Sequence, residues 1–224
     1  MNQTMNIAID GPAGAGKSTI AKQVAKDKNY IYVDTGAMYR AMALFLIREQ
    51  VNREDAEAIA LAAKRAEISI NYEKGEQVVL LNGENVNAFL RTEEVGNMAS
   101  VSSPNPAVRK KLQELQQQLA ATKNVVMDGR DIGTAVLPNA QVKIFLTASS
   151  SVRAKRRYDE LIAKGEAANL EQIERDIIER DERDMHRELN PLTQAEDAIL
   201  VDSSNLSIQE VVETIEGLIQ KAGY

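Results

Sequence analysis

Apolar residues fall in short runs at positions 7–9, 30–33, 125–127, 142–146 and 199–201, and longer segments of helical composition separate them. A strand that is apolar on both faces belongs in a sheet covered from both sides, and strands separated by helices join as parallel neighbours. The pattern therefore predicts an α/β fold: a five-stranded parallel sheet with helices on both faces. The helices are expected near 17–27, 37–49, 55–66, 106–121, 150–164, 170–188 and 207–221. One stretch breaks the rhythm. Within 67–86, Ile68, Ile70 and Tyr72 alternate with polar residues, a Lys74-Gly75 turn follows, and then come the run 78–81 and Asn82-Gly83. Alternation bounded by two-residue turns reads as a small antiparallel β meander. It stands where a helix should lead straight to the next core element, so it is taken as an inserted subdomain. Long insertions in α/β enzymes are often lids or substrate-binding parts.

Length and composition narrow the class. A chain of 224 residues can bury a substantial core, and it fits one domain with an appendage (1–224) better than two independent ones. Cysteine is absent, which excludes disulfides and thiolate metal sites. The single histidine, His186, excludes a histidine metal cluster. Residues 1–10 lack a basic stretch followed by a long apolar one, and no later segment approaches the ~20 apolar residues needed to span a bilayer. The expectation is an unexported, cytoplasmic protein with no membrane partner. A net charge of −6 argues against a broad nucleic-acid footprint, while leaving room for local arginine clusters that bind small anions.

The most specific motif follows the first expected strand and opens the first helix: Gly11, Pro12, Ala13, Gly14, Ala15, Gly16, Lys17, Ser18 and Thr19. It matches the phosphate loop, GxxxxGK followed by Ser or Thr, in the required strand-to-helix context. Its glycines allow backbone N–H groups to turn in around phosphate oxygens, and the helix N-terminus adds partial positive charge. Lys17 supplies a full charge to the β and γ oxygens, and the Ser18 hydroxyl is placed to ligate a bridging Mg2+. ATP-binding is therefore assigned to residues 11–19. The chain carries no NKxD element for guanine, and it is short for a motor or transporter ATPase. Small kinases that phosphorylate a metabolite remain.

Two further motifs fall at the carboxyl edge of the expected sheet, where ligands bind in open α/β folds. In Asp34-Thr35-Gly36-Ala37-Met38-Tyr39-Arg40, Arg40 offers a planar fork for phosphate oxygens and Thr35 a hydroxyl. Helix capping by Thr35 and a surface place for Arg40 are the plainer alternatives. In Asp128-Gly129-Arg130-Asp131-Ile132-Gly133-Thr134, Arg130 can meet a second phosphate and Asp131 can accept from a base amino group; a salt-bridged turn is the alternative. Along 170–188, Glu171 with Arg175, Asp176 with Arg180 and Glu179 with Arg183 stand at i,i+4, as on a solvated helix. Arg180, Asp184 and Arg187 share one face and can converge on one ligand.

Taken together, GPAGAGKST, DTGAMYR, RTEEV at 91–95, DGRDIGT and RDERDMHR resemble the bacterial cytidylate kinases in order and spacing, over essentially the whole chain. The resemblance implies the P-loop kinase fold, with a monophosphate-binding insert at about 64–95 and a short helical lid at about 153–165. It implies phosphorylation of CMP and dCMP to CDP and dCDP, with Mg2+ and ATP as donor. Thr35, Arg40, Arg130 and Arg187 fall on positions that hold the monophosphate, Thr35 standing where many relatives have serine. Ser100, Arg109 and Asp131 fall on positions that read cytosine, and Arg180 with Asp184 on those contacting ribose. Arg156 and Arg157 match the lid over the ATP phosphates, with neighbouring Arg153 a competitor. Lys17, Arg130, Arg156 and Arg157 are the expected catalytic residues, and Ser18 with Asp34, the latter through water, the expected metal ligands. The expected partners are the small molecules ATP, CMP and dCMP, not nucleic acid, and the chain is expected to act as a monomer. Asp34 also fits the base of a kinase for hydroxyl acceptors such as shikimate or gluconate, and a noncatalytic nucleotide-binding module is the third alternative.

Overall fold

The computed structural model describes residues 4–223; the first three residues of the start inspected for a leader lie outside them. In chain order the elements are β1 (Asn6–Asp10), α1 (Lys17–Lys28), β2 (Ile31–Asp34), α2 (Thr35–Arg48), α3 (Ala56–Arg65), β3 (Ile68–Glu73), β4 (Glu76–Leu81) and β5 (Glu84–Asn85). Then follow α4 (Glu93–Ser102), α5 (Pro106–Thr122), β6 (Val125–Gly129), β7 (Val142–Thr147), α6 (Ser150–Ala163), α7 (Leu170–His186), β8 (Ile199–Asp202) and α8 (Ile208–Lys221). A short 3-10 turn at Asn87–Phe89 and a π turn at Ile132–Val136 complete the described residues.

One sheet has the strand order β2-β6-β1-β7-β8 and is parallel, and a second, antiparallel, has the order β3-β4-β5. The five apolar runs are the five strands of the larger sheet. Ile7, Ala8 and Ile9 of β1 and Val125, Val126 and Met127 of β6 have no exposed surface, as befits interior strands with both faces covered. The last run differs: Ile199 and Leu200 are exposed because β8 is an edge strand, with a neighbour on one side only.

The chain divides into two compact units. The first combines residues 5–30 with 126–223 and contains β1, α1, most of β6, β7, α6, α7, β8 and α8. Here β1 pairs with β7, Ile7 opposite Val142, and β7 with β8, Ile144 opposite Ile199. Helix α8 starts with a capping box formed by Ser207 and Glu210 and buries Val211, Val212, Ile215 and Ile219. Helix α7 has no buried residue, and its attachment rests on charge, as described below.

The second unit comprises residues 31–125 with Thr4. Its meander has tight hairpins because Lys74-Gly75 and Asn82-Gly83 all take positive φ, between 49° and 83°, the geometry whose twist suits a two-residue connection. Helix α4 is absent from the pattern-based reading, although its start signal is present: Thr92 caps the N-terminus by accepting from the Val95 N–H, and Glu93 and Glu94 occupy the first turn.

Candidate functional site

The phosphate loop links β1 to α1 in the first unit. Gly11 has φ 145°, and a Cβ there would stand 1.9 Å from the Leu146 carbonyl oxygen, so the chain leaves the strand by a path open only to glycine. Gly16, at φ 90°, turns the chain into α1. A phosphate nest needs its N–H groups inward and its carbonyls outward. Three donors engage carbonyls of the loop: Lys17 Nζ on Pro12 O at 2.7 Å, Arg153 Nη1 on Ala13 O at 3.0 Å and Ser203 Oγ on Ala15 O at 3.3 Å.

Lys17 is buried, and burial together with the positive charge of Arg130 holds its ammonium well below the ordinary lysine range; Asp128 and Asp10 pull the other way. The Ser18 hydroxyl donates to Asp128 Oδ2 at 2.9 Å. A hydroxyl beside a buried carboxylate is a hard-oxygen donor set, which suits Mg2+. Among the described residues no group of three or more acidic, histidine or cysteine side chains forms a metal cage.

The DGRDIGT segment lies in the same unit. Asp10, at the end of β1, accepts from the Ile132 N–H at 2.8 Å and the Gly133 N–H at 2.7 Å. Burial raises its pKa from 3.8 to about 6 despite those two bonds. The π turn it anchors follows directly on Arg130 and Asp131. Arg130 Nε donates to Asp184 Oδ2 at 2.9 Å, and Arg187 Nη2 donates to Asp131 Oδ1 at 3.2 Å. The structure thus brings Arg130, Asp131, Asp184 and Arg187 into one ion-paired cluster. Arg180, on the same helix, is exposed.

Helix α6 separates its three arginines. Arg153 is buried against the phosphate loop. Arg156 donates to Ser203 O at 2.8 Å, at the mouth of the loop after β8. Arg157 is about half exposed and pairs with Glu160 at 2.9 Å.

The second unit carries the remaining residues. Asp34, not Thr35, caps α2, its Oδ1 accepting from the Ala37 N–H at 2.9 Å, and Thr35 is buried at the first helical position. The Arg40 guanidinium lies over Gly36, with Nη1 3.3 Å from where a Cβ would stand. Arg109 of α5 is buried with its guanidinium over the Tyr39 ring at 5.7 Å. Ser100, half-buried on α4, accepts through its carbonyl from Ser103 Oγ. Of the helix pairs read from spacing, Glu171 and Arg175 meet at 4.0 Å. The residues that sequence reasoning missed are Asp10, Asp128, Asp181 and Ser203. Asp10 and Asp128 carried the same signal, an acid following an apolar strand run, and Asp128 also opens the DGRDIGT motif.

A glycine-rich loop with lysine and serine, set between a parallel strand and a helix N-terminus and backed by a buried aspartate, defines the P-loop class of phosphate-binding proteins. Within that class the comparisons are specific. The cytidylate kinase family model matches residues 7–221. Cytidylate kinase of Bacillus subtilis (strain 168) is 49% identical over 99% of this chain and 100% of its own length. That of Ligilactobacillus salivarius (strain UCC118) is 48% identical over 100% of both chains. This chain belongs to the cytidylate kinase family. A solved shikimate kinase from Bacteroides thetaiotaomicron covers 96% of the chain and 98% of its own at a TM-score of 0.50 and 15% identity, a likeness of fold.

Proposed function

We propose that this protein transfers the γ-phosphoryl group of ATP to CMP and dCMP, forming CDP and dCDP in pyrimidine nucleotide metabolism. The observation that carries the reading is an intact phosphate loop, with Lys17 and Ser18 in place, in a chain that matches cytidylate kinases over its full length. The acceptor is a phosphate monoester with a second pKa of ~6, so its oxygen is ionised at pH 7 and no general base is required. The work of the site is to hold two polyanions in line and to neutralise charge as it spreads over the transferred group.

Residues 11–19 bind the ATP phosphates. The negative charge of a bound polyphosphate favours the ammonium form of the buried Lys17. Mg2+ bound with ATP would supply charge neutralisation at the phosphates, and Ser18, steadied by Asp128, and Asp34 through water would hold it. Arg130 and Arg187 exchange their carboxylate partners for the acceptor phosphate, which Thr35 and Arg40 also bind. Ser100, Arg109 and Asp131 read cytosine, Arg180 and Asp184 the ribose, and Arg156 and Arg157 close on the donor from a lid at about 153–165. Residues 64–95 form the monophosphate-binding subdomain of a single P-loop kinase domain. The enzyme works as a cytoplasmic monomer on small molecules, without nucleic acid or membrane partners, and no described helix is long and apolar enough to cross a membrane.

The test is ADP release from Mg-ATP with CMP, dCMP, UMP, AMP, shikimate or gluconate, using wild-type protein and Lys17→Ala. Turnover with CMP and dCMP well above UMP, lost in the variant, is the expected result. Turnover with shikimate or gluconate alone overturns it, and so does ATP binding without turnover on any acceptor.

A further inference from the structure

Arg153 stands among the lid arginines in sequence but is committed elsewhere in the structure. It is 5% exposed. Its Nε donates to Ala148 O at 2.8 Å, its Nη1 to Ala13 O at 3.0 Å and to Asp181 Oδ1 at 3.2 Å, and its Nη2 to Asp181 Oδ2 at 2.6 Å. A guanidinium has five N–H donors, and four bonds of good length already engage it. The Asp181 side chain is 13% exposed and grips the guanidinium in bidentate fashion, the geometry that orients an arginine most firmly. The stem lies against the loop as well: a Cβ on Gly14 would stand 3.3 Å from Arg153 Cβ, so a side chain there would press on helix α6.

We infer that Arg153 and Asp181 are a positioning pair that shapes the ATP-phosphate nest from outside. The inference rests on the phosphate-loop reading above. Holding Ala13 O outward fixes the plane of the Ala13-Gly14 peptide, so the Gly14 N–H stays on the concave side, where a phosphate oxygen accepts from it. Asp181 keeps the guanidinium in that orientation and balances its charge, which would otherwise be buried alone. Arg153 is thereby distinguished from Arg156 and Arg157: it acts on the donor nucleotide through the loop backbone, without touching the phosphates. The three arginines then divide into one that builds the nest and two, Arg156 on Ser203 O and Arg157 on Glu160, that are left to the lid.

The experiment measures Mg-ATP affinity by calorimetry, together with KM for CMP and kcat, for wild type, Asp181→Asn, Arg153→Lys and the double variant. Each single change is expected to weaken ATP binding about tenfold while KM for CMP stays within twofold, and the double variant to be no worse than the weaker single. Non-additivity of that kind marks two residues acting as one device. ATP affinity within twofold of wild type in folded Asp181→Asn overturns the inference, as does an equal loss on ATP and CMP. Asp181→Asn keeps the shape of the side chain, so it decides the matter even if Arg153→Lys fails to fold. Wild-type protein that binds ATP but does not phosphorylate CMP refutes the proposed function and leaves the ATP-binding comparison readable.

Discussion

At the scale of single residues, glycines separate structural from functional necessity. Gly11 admits no side chain because the Leu146 carbonyl occupies the space and the backbone is at φ 145°. Gly11→Ala is expected to cost more than ~3 kcal/mol and lower Tm by about 10 °C, checked by thermal melts. Gly36 is different, since it lies in helix α2 at ordinary helical φ, where alanine is favoured by ~1 kcal/mol. Its added methyl would press on Arg40 Nη1 and on the capping Asp34 Oδ1, at 3.3 and 3.2 Å. Gly36→Ala should therefore raise KM for CMP about tenfold with Tm within a few degrees of wild type, because the loss falls on the oriented arginine. Asp131, buried and paired with Arg187, is the proposed acceptor for the cytosine amino group, which uracil replaces with a carbonyl. Asp131→Ala should lower the CMP-to-UMP preference in kcat/KM by about one to two orders of magnitude, the worth of a buried charged hydrogen bond at ~2 to 3 kcal/mol. An unchanged ratio would place base reading elsewhere.

At the scale of elements, caps and turns account for boundaries that periodicity left loose. Helix α8 begins where Ser207 accepts from the Glu210 N–H, and Glu210 reaches back to the Ser207 N–H at 2.8 Å. Ser207→Ala should cost ~1 kcal/mol, a fall in Tm of about 2 to 4 °C, with ATP and CMP constants unchanged. Helix α7 obeys another rule. Its i,i+4 acid-base spacing suggests a solvated helix, and one face is so, but Asp181 and Asp184, followed by Arg187 at the C-cap, each pair with a residue of another segment. Spacing along one helix states which side chains share a face and leaves open what that face meets. Helix α4 escaped detection because only Val95 and Met98 of its apolar residues are buried, too few for a periodic signal over ten residues.

At the scale of the whole molecule, the buried charge of Asp10 ties stability to pH. Its pKa of about 6 exceeds the ordinary 3.8, so between those values the native state holds a proton that the unfolded chain releases. The contribution of this group to stability is full below about pH 4 and is lost as pH rises through 6. Wild-type protein should lose ~3 kcal/mol relative to Asp10→Asn between pH 4 and pH 7, since asparagine has no charge to bury; urea denaturation across that range measures the difference. The carboxylate is kept despite its cost because its two oxygens anchor the turn that begins at Arg130 and Asp131.

The sequence by itself determined the five core strands, the longer helices other than α4, the place of the meander and the phosphate loop, because hydrophobic period, turn residues and a contiguous motif are local properties of the chain. Tertiary structure alone decided that Ser18 meets Asp128, that Arg153 meets Asp181, that Asp10 holds Gly133 and that Ile199 and Leu200 face solvent. Those outcomes follow from strand order and helix placement. They join residues separated by 28 to 123 positions, a distance over which no local preference of the backbone carries information.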